Sequence, residues 1–407
     1  MKCRHCQTHL QHMFVDLGFA PPSNAYLSAS ALSQAEMSLP LRVRVCHVCW
    51  LVQTEDYAQA DTFFNEDYAY FSSASQTWLA HASAYAQAMT DKLKLSSQSH
   101  VVELASNDGY LLKNFVAKGI PCLGIEPTES TAHAARALGI PVLGEFFGQA
   151  LAQRLVEQGK QADLIAANNV YAHVPDINDF TQGINTLLKP QGVVTIEFPH
   201  LMQLLDHNQF DTIYHEHFSY LSLYTVQAIF ASCGLRIFDV EQLPTHGGSL
   251  RVFGCHQNAS WALANAVQNH LQEETDRGMQ SLAAYAGFQD KVNHIKNVLV
   301  SFLIEQKKLG KKVVAYGAAA KGNTLLNYAG VRPDLLSMVC DAAPSKQGKY
   351  MPGSHIPILA PDQLKLSQPD IVLVLPWNIA QEVKQQYKDM VDQGVVFMAA
   401  IPNLRVL

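Results

Sequence analysis

Nowhere in the 407 residues does an apolar run approach the roughly 20 residues that span a bilayer. The opening stretch, MKCRHCQTHL, has no hydrophobic signal core, so no membrane partner and a cytoplasmic location are expected. Basic residues are scarce as well: 29 Lys and Arg stand against 35 Asp and Glu, a formal charge of −6. Duplex nucleic acid needs clustered Lys and Arg to neutralise phosphates, which argues against that class of partner. A small anion held by a few local groups stays open. Charged residues make up only 16% of the chain and hydrophobic residues 48%, the balance of a compact enzyme with a sizeable core. No short-period repeat and no low-complexity segment is present. Cysteine is sparse, with eight residues, and in a cytoplasmic chain of this size they are not a disulfide framework.

What is present divides into parts. The length calls for two or three domains. Residues 1–65 lack helical periodicity and carry paired cysteines near both ends. From 66 to 258 an Ala-rich helical stretch gives way to short apolar runs of strand type: VVEL, LGIE, DLIAANN and VVTIEF. Helical segments such as STAHAARAL and INDFTQGINTLL lie between them. That alternation implies a parallel sheet covered on both faces. From 259 to 407 a long polar helical region, about 261–309, leads into a second alternating unit with KVVAYG, LSMVCD and DIVLVLPW. The expected class is α/β.

Four cysteines form two C-x-x-C knuckles, Cys3 with Cys6 and Cys46 with Cys49. Each knuckle turns two thiolates toward one point, and two knuckles supply the four sulfurs of a tetrahedral zinc site with no open position. Such a small domain has little core of its own, so metal binding would add folding energy. Redox-active thiols are the competing interpretation. Cys122, Cys233, Cys255 and Cys340 have the look of ordinary buried cysteines, and His5 and His47 are not expected to be ligands.

The segment V-V-E-L-A-S-N-D-G-Y-L-L, 101–112, ends a strand and opens a helix. A small-residue turn lets backbone amides approach a ligand there. A second acid, Glu126, followed by Pro127, ends the next strand, where a carboxylate can accept from both ribose hydroxyls. These features resemble motif I and its acidic partner in class I S-adenosylmethionine-dependent methyltransferases. Glu103 and Gly109 match that pattern, and Ala105 replaces its first glycine. Asn107, Tyr110 and Leu111 complete the turn. Asn168 and Asn169, at the third strand end, fall above the methionine portion of the cofactor, and Phe146 and Phe147 fall where an aromatic can pack on adenine. A nicotinamide-dependent dehydrogenase would prefer G-x-G-x-x-G, which this turn lacks.

The densest polar cluster is D-T-I-Y-H-E-H-F-S-Y, 211–220. Methyl transfer to carbon needs an acidic C–H, which a neighbouring ketone provides, and a base near neutrality, which histidine offers. A Glu beside the imidazole can orient it, and a Tyr hydroxyl can stabilise an enolate. Histidines that merely cap or pack are the bland alternative.

With the two C-x-x-C pairs, Y-A-Y-F-S-S-A-S (68–75), E-L-A-S-N-D-G, N-N-V-Y-A-H-V, Y-H-E-H-F-S-Y, T-H-G-G-S-L-R (245–251) and Y-G-A-A-A-K-G-N-T (316–324), the chain resembles the sugar C-methyltransferase family over nearly its whole length. Those are NDP-hexose 3-C-methyltransferases of deoxysugar pathways. The resemblance implies a small N-terminal zinc-binding domain, a central class I methyltransferase (Rossmann-like) domain and a C-terminal Rossmann-like α/β domain. Its cofactors would be S-adenosyl-L-methionine and structural zinc. It makes His217 the base at C3 of a 4-keto sugar, with Glu216 beside it and Tyr70, His173 and Tyr214 lining the sugar. Tyr68 and Ser73 join the cofactor set.

In the C-terminal part, G-A-A-A-K-G-N-T (317–324) matches a P-loop except that Asn323 stands where the phosphate-binding Lys belongs, which argues against ATP hydrolysis. The turn can still present amides to an anion. Lys321, Asn323, Lys346 and Lys349, with His246, Gly247, Gly248 and Arg251, are expected to hold the nucleotide half of a nucleotide-linked keto sugar. Glycines that only make turns are the alternative. An O- or N-methyltransferase and a non-catalytic zinc-bearing binding protein remain the competing functions. A monomer is expected.

Overall fold

The computed structural model describes residues 1–57 and 71–407. Three antiparallel strands open the chain: β1 (His12–Ala20), β2 (Leu39–Val45) and β3 (Val52–Thr54). In β2, Leu41, Val43 and Val45 are buried while Arg42 and Arg44 are half-exposed, the alternation of a strand with one wet face.

The central sheet begins with parallel strands β4 (Val101–Leu104), β5 (Cys122–Ile125), β6 (Val142–Leu143), β7 (Ala162–Asn168) and β8 (Leu188–Pro199). Every residue of β4 and β5 is buried, as expected of strands covered on both faces. Next, β9 (Ser219–Tyr220) leaves this sheet and pairs with β3, giving an N-terminal sheet of order β1-β2-β3-β9. Finally β10 (Leu235–Leu243) and β11 (Ser249–His256) return as an antiparallel pair on the edge of β8. The central order is β6-β5-β4-β7-β8-β11-β10, and β11 alone runs against the rest. This is the doubly wound class I methyltransferase arrangement. Its order reverses between β4 and β7, and a crevice for ligand lies outside their C-terminal ends.

The helix before β4 spans Gln76–Leu93; the Ser75 side chain accepts from the Trp78 amide and caps it. The expected single helical region near 261–309 is two helices, Asn265–Asp276 and Phe288–Lys308. Gly278 and Gly287, at φ 71° and 76°, make the break between them. Phe288, Val292, Ile295, Leu299 and Leu303 form the buried stripe of the second helix.

The third sheet uses β12 (Val313–Tyr316), β13 (Val339–Cys340), β14 (Ile358–Leu359), β15 (Ile371–Val374), β16 (Val396–Ala399) and β17 (Arg405–Val406). Its order, β14-β13-β12-β15-β16-β17, is parallel except for β17 and gives a second reversal, between β12 and β15. The N-terminal sheet has no core to itself: Phe14, Leu41 and Val43 share one apolar cluster with Phe288, Leu299, Val313 and Ile371. Its cysteine end instead packs with Val226 and Phe230 of the central part. Among the described residues, no helix is long and apolar enough to cross a membrane.

Candidate active site

Both cysteine knuckles close alike. The Gln7 amide donates to the Cys3 carbonyl at 3.1 Å and the Trp50 amide to that of Cys46 at 3.0 Å, with φ 62° at both Gln7 and Trp50. The four sulfurs lie within 4.8 Å of one another. Tetrahedral zinc with 2.3 Å bonds places sulfurs about 3.8 Å apart, so the quartet fits the ion. Burial pushes the Cys46 thiol up and contact with Cys3 pushes Cys49 up, while the hydrogen bond from Cys49 takes Cys3 down to about 4; four thiolates this close repel one another, and a cation among them relieves it. His5 is no ligand; its Nδ1 donates to Asn178 Oδ1 at 2.9 Å. Arg4, inside the first knuckle, donates to the carbonyls of Thr54 (3.1 Å), Pro175 (3.1 Å) and Phe218 (3.3 Å) and pairs with Asp56. The metal knuckle thus backs the segments that carry His173 and His217.

At the first reversal, Ala105, Asn107 and Gly109 all take the left-handed conformation, with φ 56°, 50° and 78°. That accounts for the usual glycine at the Ala105 position. Gly109 has a further constraint, since a Cβ there would lie 2.4 Å from Ile140 Cδ1. Glu126 braces the turn by accepting from the amides of Asn107 and Thr128, both at 2.9 Å. The Ser72 and Ser73 amides donate to Asn107 Oδ1 and Asp108 Oδ2, so Ser73 locks the turn from outside. Burial, with Glu126 and Asp108 nearby, holds the Glu103 carboxyl well above the usual carboxylate range. Among the described residues, Glu103 Oε2, Ser106 Oγ, Asp108 Oδ1, Asn168 Oδ1 and both side-chain polar atoms of Asn169 are buried without a hydrogen-bond partner. Unpaired acceptors and acids at the ends of β4 and β7 fit a ligand bearing an ammonium, a sulfonium and hydroxyls. Leu111 is fully buried and its side chain packs in the core. Phe146 is 55% exposed, whereas Phe147 packs edge-on against Phe180. Tyr68 and Tyr70 lie outside the described residues.

Beyond the end of β7, the His173 and His217 rings meet at 4.6 Å, and Tyr214 lies 4.0 Å from His217 between centroids. His217 Nδ1 sits 2.7 Å from the Thr212 carbonyl, and His173 Nδ1 2.8 Å from that of Glu216. A carbonyl only accepts, so each Nδ1 carries the proton and each Nε2 keeps its lone pair. Burial, reinforced by His173 and Lys321, takes His217 well below the usual imidazole value, and burial takes His173 down to about 4. Both rings are neutral near pH 7. Glu216 differs from expectation: its carboxylate accepts from Asn24 Nδ2 at 3.2 Å, and it is its backbone that orients His173. The Glu216 carboxylate is thus turned to Asn24 of the N-terminal part.

The second reversal faces the same space. Lys321 projects from the start of helix Ala320–Ala329, donates to Asn378 Oδ1 at 3.0 Å and lies 4.5 Å over the Trp377 ring. Burial brings its ammonium down to about 8, and its charge reaches His217 and His246. Lys346 donates to the Ala318 carbonyl at 2.9 Å and lies 5.2 Å from the Tyr26 ring; Lys349 is half-buried on the same loop. Four other candidates are already committed to the fold. Arg251 is paired with Glu197 at 2.7 Å and Glu241 at 3.3 Å and stacks on Tyr85, which leaves no open fork for phosphate. Asn323 is buried and donates to the Ser23 carbonyl at 2.6 Å. Gly247 and Gly248 make room for side chains, since a Cβ at either would meet Trp377 at 2.2 Å or Gln203 at 2.6 Å.

Sequence reasoning missed Arg4, Asp211, Trp377 and the Glu197–His81 pair at 3.0 Å. Arg4 is an x position of a C-x-x-C knuckle, whose spacing rule says nothing of the residue there; Asp211, beside the Tyr-His-Glu-His run, carried a signal, and the others lie in no motif with a spacing rule.

Three family models cover the chain: a zinc binding domain over 3–64, a methyltransferase domain over 78–240 and a C-methyltransferase C-terminal domain over 244–402. The C-methyltransferase NovU of Streptomyces niveus is 32% identical over 406 residues, covering 100% of this chain and 96% of its own. Solved structures resemble the chain in part. A magnesium protoporphyrin IX methyltransferase from Synechocystis shares 12% identity at a TM-score of 0.35, over 44% of this chain and 83% of its own. A SAM-dependent methyltransferase from Anabaena variabilis shares 14% at 0.35, over 43% and 84%.

Proposed function

The chain belongs to the C-methyltransferase family, and from that premise we propose that it methylates C3 of a nucleotide-linked 4-keto deoxyhexose with His217 as the base. It is a S-adenosylmethionine-dependent methyltransferase with a zinc-binding Cys quartet. One observation carries the finer proposal: a neutral His217 whose Nδ1–H is committed to the Thr212 carbonyl and whose Nε2 is left to accept a proton, with Tyr214 against it.

Bound S-adenosylmethionine supplies a methyl group made electrophilic by a sulfonium. His217 Nε2 takes the proton from C3, and the C–H electron pair passes into the adjacent carbonyl as an enolate. Tyr214, beside the ring, and the Lys321 ammonium favour that negative charge. S-adenosylmethionine, which Glu103, Asn168 and Asn169 would hold at the central reversal, would supply the electrophilic methyl that the enolate carbon takes up, its sulfur keeping the electron pair of the broken carbon–sulfur bond. The nucleotide half lies toward Lys321 and Lys346, so the sugar spans the cleft between the two sheets. Both halves of this cleft come from one polypeptide, which supports a monomer as the working unit.

Incubation with labelled S-adenosylmethionine and a panel of nucleotide-linked 4-ketohexoses in D₂O tests this. The expected product carries one new methyl on C3, and residual substrate carries deuterium at C3. A methyl group found on oxygen or nitrogen, with no exchange at carbon, overturns it.

A further inference from the structure

His217 takes its orientation from the Thr212 carbonyl, which belongs to a short turn, 209–213, closed by the Thr212 amide on the Gln209 carbonyl at 3.1 Å and the Ile213 amide on that of Phe210 at 3.0 Å. Further support comes from outside the turn. Asp211, with no exposed surface, accepts from Trp377 Nε1 at 2.7 Å through Oδ2. The next carbonyl but one, Ile213, accepts from Thr324 Oγ1 at 2.8 Å. Gln209 donates to the Gly247 carbonyl at 2.8 Å, and Gly247 itself has no room for a Cβ against the Trp377 ring. Trp377 follows the end of β15 and Thr324 lies in the helix after β12, so both flank the reversal of the C-terminal sheet.

We propose that the C-terminal sheet positions the His217 imidazole, with the Trp377–Asp211 hydrogen bond holding the turn that presents Thr212 to it. Trp377 is then a positioning residue, acting through Asp211 and Thr212. The role of His217 as base rests on the function proposed above; the coupling of Trp377 to its orientation does not. Charged and titratable groups facing Asp211 and the ring are Lys321 from the C-terminal helix, His173 from the β7 side and His246 from the loop before β11. Burial raises the Asp211 carboxyl to about 7, against the pull of Lys321, of the Trp377 indole and of the backbone at Asp211 and Thr212.

Two substitutions separate hydrogen bond from charge. Trp377→Phe keeps a ring against Gly247 and Lys321 and removes the donor. Asp211→Asn keeps an acceptor oxygen and removes the titrating group. Each is made in the full-length, zinc-loaded protein with ¹⁵N-labelled histidine, and the His217 resonances are assigned by difference against His217→Asn. In Trp377→Phe the His217 signals are expected to move from a single Nδ1–H tautomer toward an average of two. Misplacing a catalytic group by about 1 Å costs on the order of a hundredfold, so kcat should fall by about that factor with KM for S-adenosylmethionine unchanged. Asp211→Asn should keep the tautomer and most of kcat while shifting the pH profile. Wild-type His217 resonances and wild-type kcat in Trp377→Phe overturn the proposal. So does a kcat loss with the tautomer intact, which marks a purely structural role. If Trp377→Phe does not fold, Asp211→Ala withdraws the acceptor instead and carries the same expectations. A fully active His217→Asn protein defeats the base assignment alone, because the tautomer shift is read independently of turnover.

Discussion

His217 hands its Nδ1–H to the carbonyl of Thr212, five residues earlier, at 2.7 Å. That one bond decides which nitrogen is available to substrate. His217→Asn should therefore bind S-adenosylmethionine normally by calorimetry and lose about 10²- to 10⁴-fold in kcat, the usual contribution of a positioned base. Turnover at the wild-type rate removes the imidazole from the mechanism.

Glu103 lies near the C-terminal end of β4 with Oε2 unpaired and is 1% exposed. Hydrogen bonds to charged groups contribute about 1.5–3 kcal/mol, so Glu103→Gln should weaken S-adenosylmethionine binding about tenfold to a hundredfold. An unchanged Kd by calorimetry places the carboxylate away from the ligand.

Arg251 was a candidate phosphate contact, yet it is buried on Glu197. Removing one partner of such a pair costs about 3–5 kcal/mol because the other charge stays behind unpaired. Arg251→Ala should lower the urea midpoint by a corresponding amount. KM for the nucleotide sugar, measured on the folded fraction, should not rise. A raised KM with unaltered stability reverses this assignment.

The cysteine knuckle lies behind the segments that carry His173 and His217, tied to them through Arg4. Cys46→Ser should lose the metal and about 4 kcal/mol or more of stability, the range reserved for lost metal sites. Arg4→Ala should retain zinc by elemental analysis but lower kcat, since Arg4 ties the knuckle to Phe218 and Pro175. Full activity in Arg4→Ala shows that the knuckle and the histidines are independent.

Burial depresses His173 and His246 from 6.5 to about 4 in the folded chain. Below pH 6.5 the unfolded chain binds protons that the folded one refuses, so stability present at pH 7 is lost as pH falls toward about 4. The thermal midpoint should drop across that window, and His246→Gln should drop less steeply. Equal slopes in the two proteins rule out His246 as a contributor.

Much of the architecture was legible in the residues because its signals are local. The VVEL and LGIE runs became β4 and β5 nearly to the residue, since a strand buried on both faces must be continuously apolar. The two C-x-x-C pairs needed only a turn each to aim their sulfurs. Less visible was the β10–β11 pair, whose identity depends on lying beside β8, and β9, two residues long, whose pairing with β3 no periodicity can announce.

Residue types and their spacing determined that this chain carries a metal knuckle, a cofactor turn and a Tyr-His-Glu-His run, because each is set by bonding reach along a few neighbouring residues. Only the tertiary structure decided what each side chain does there. It committed Arg251 to Glu197, Asn323 to Ser23 and Glu216 to Asn24, and it set Trp377 on Asp211, 166 residues away in sequence. A buried polar group must find a partner, and which partner is nearest is a property of the packed chain.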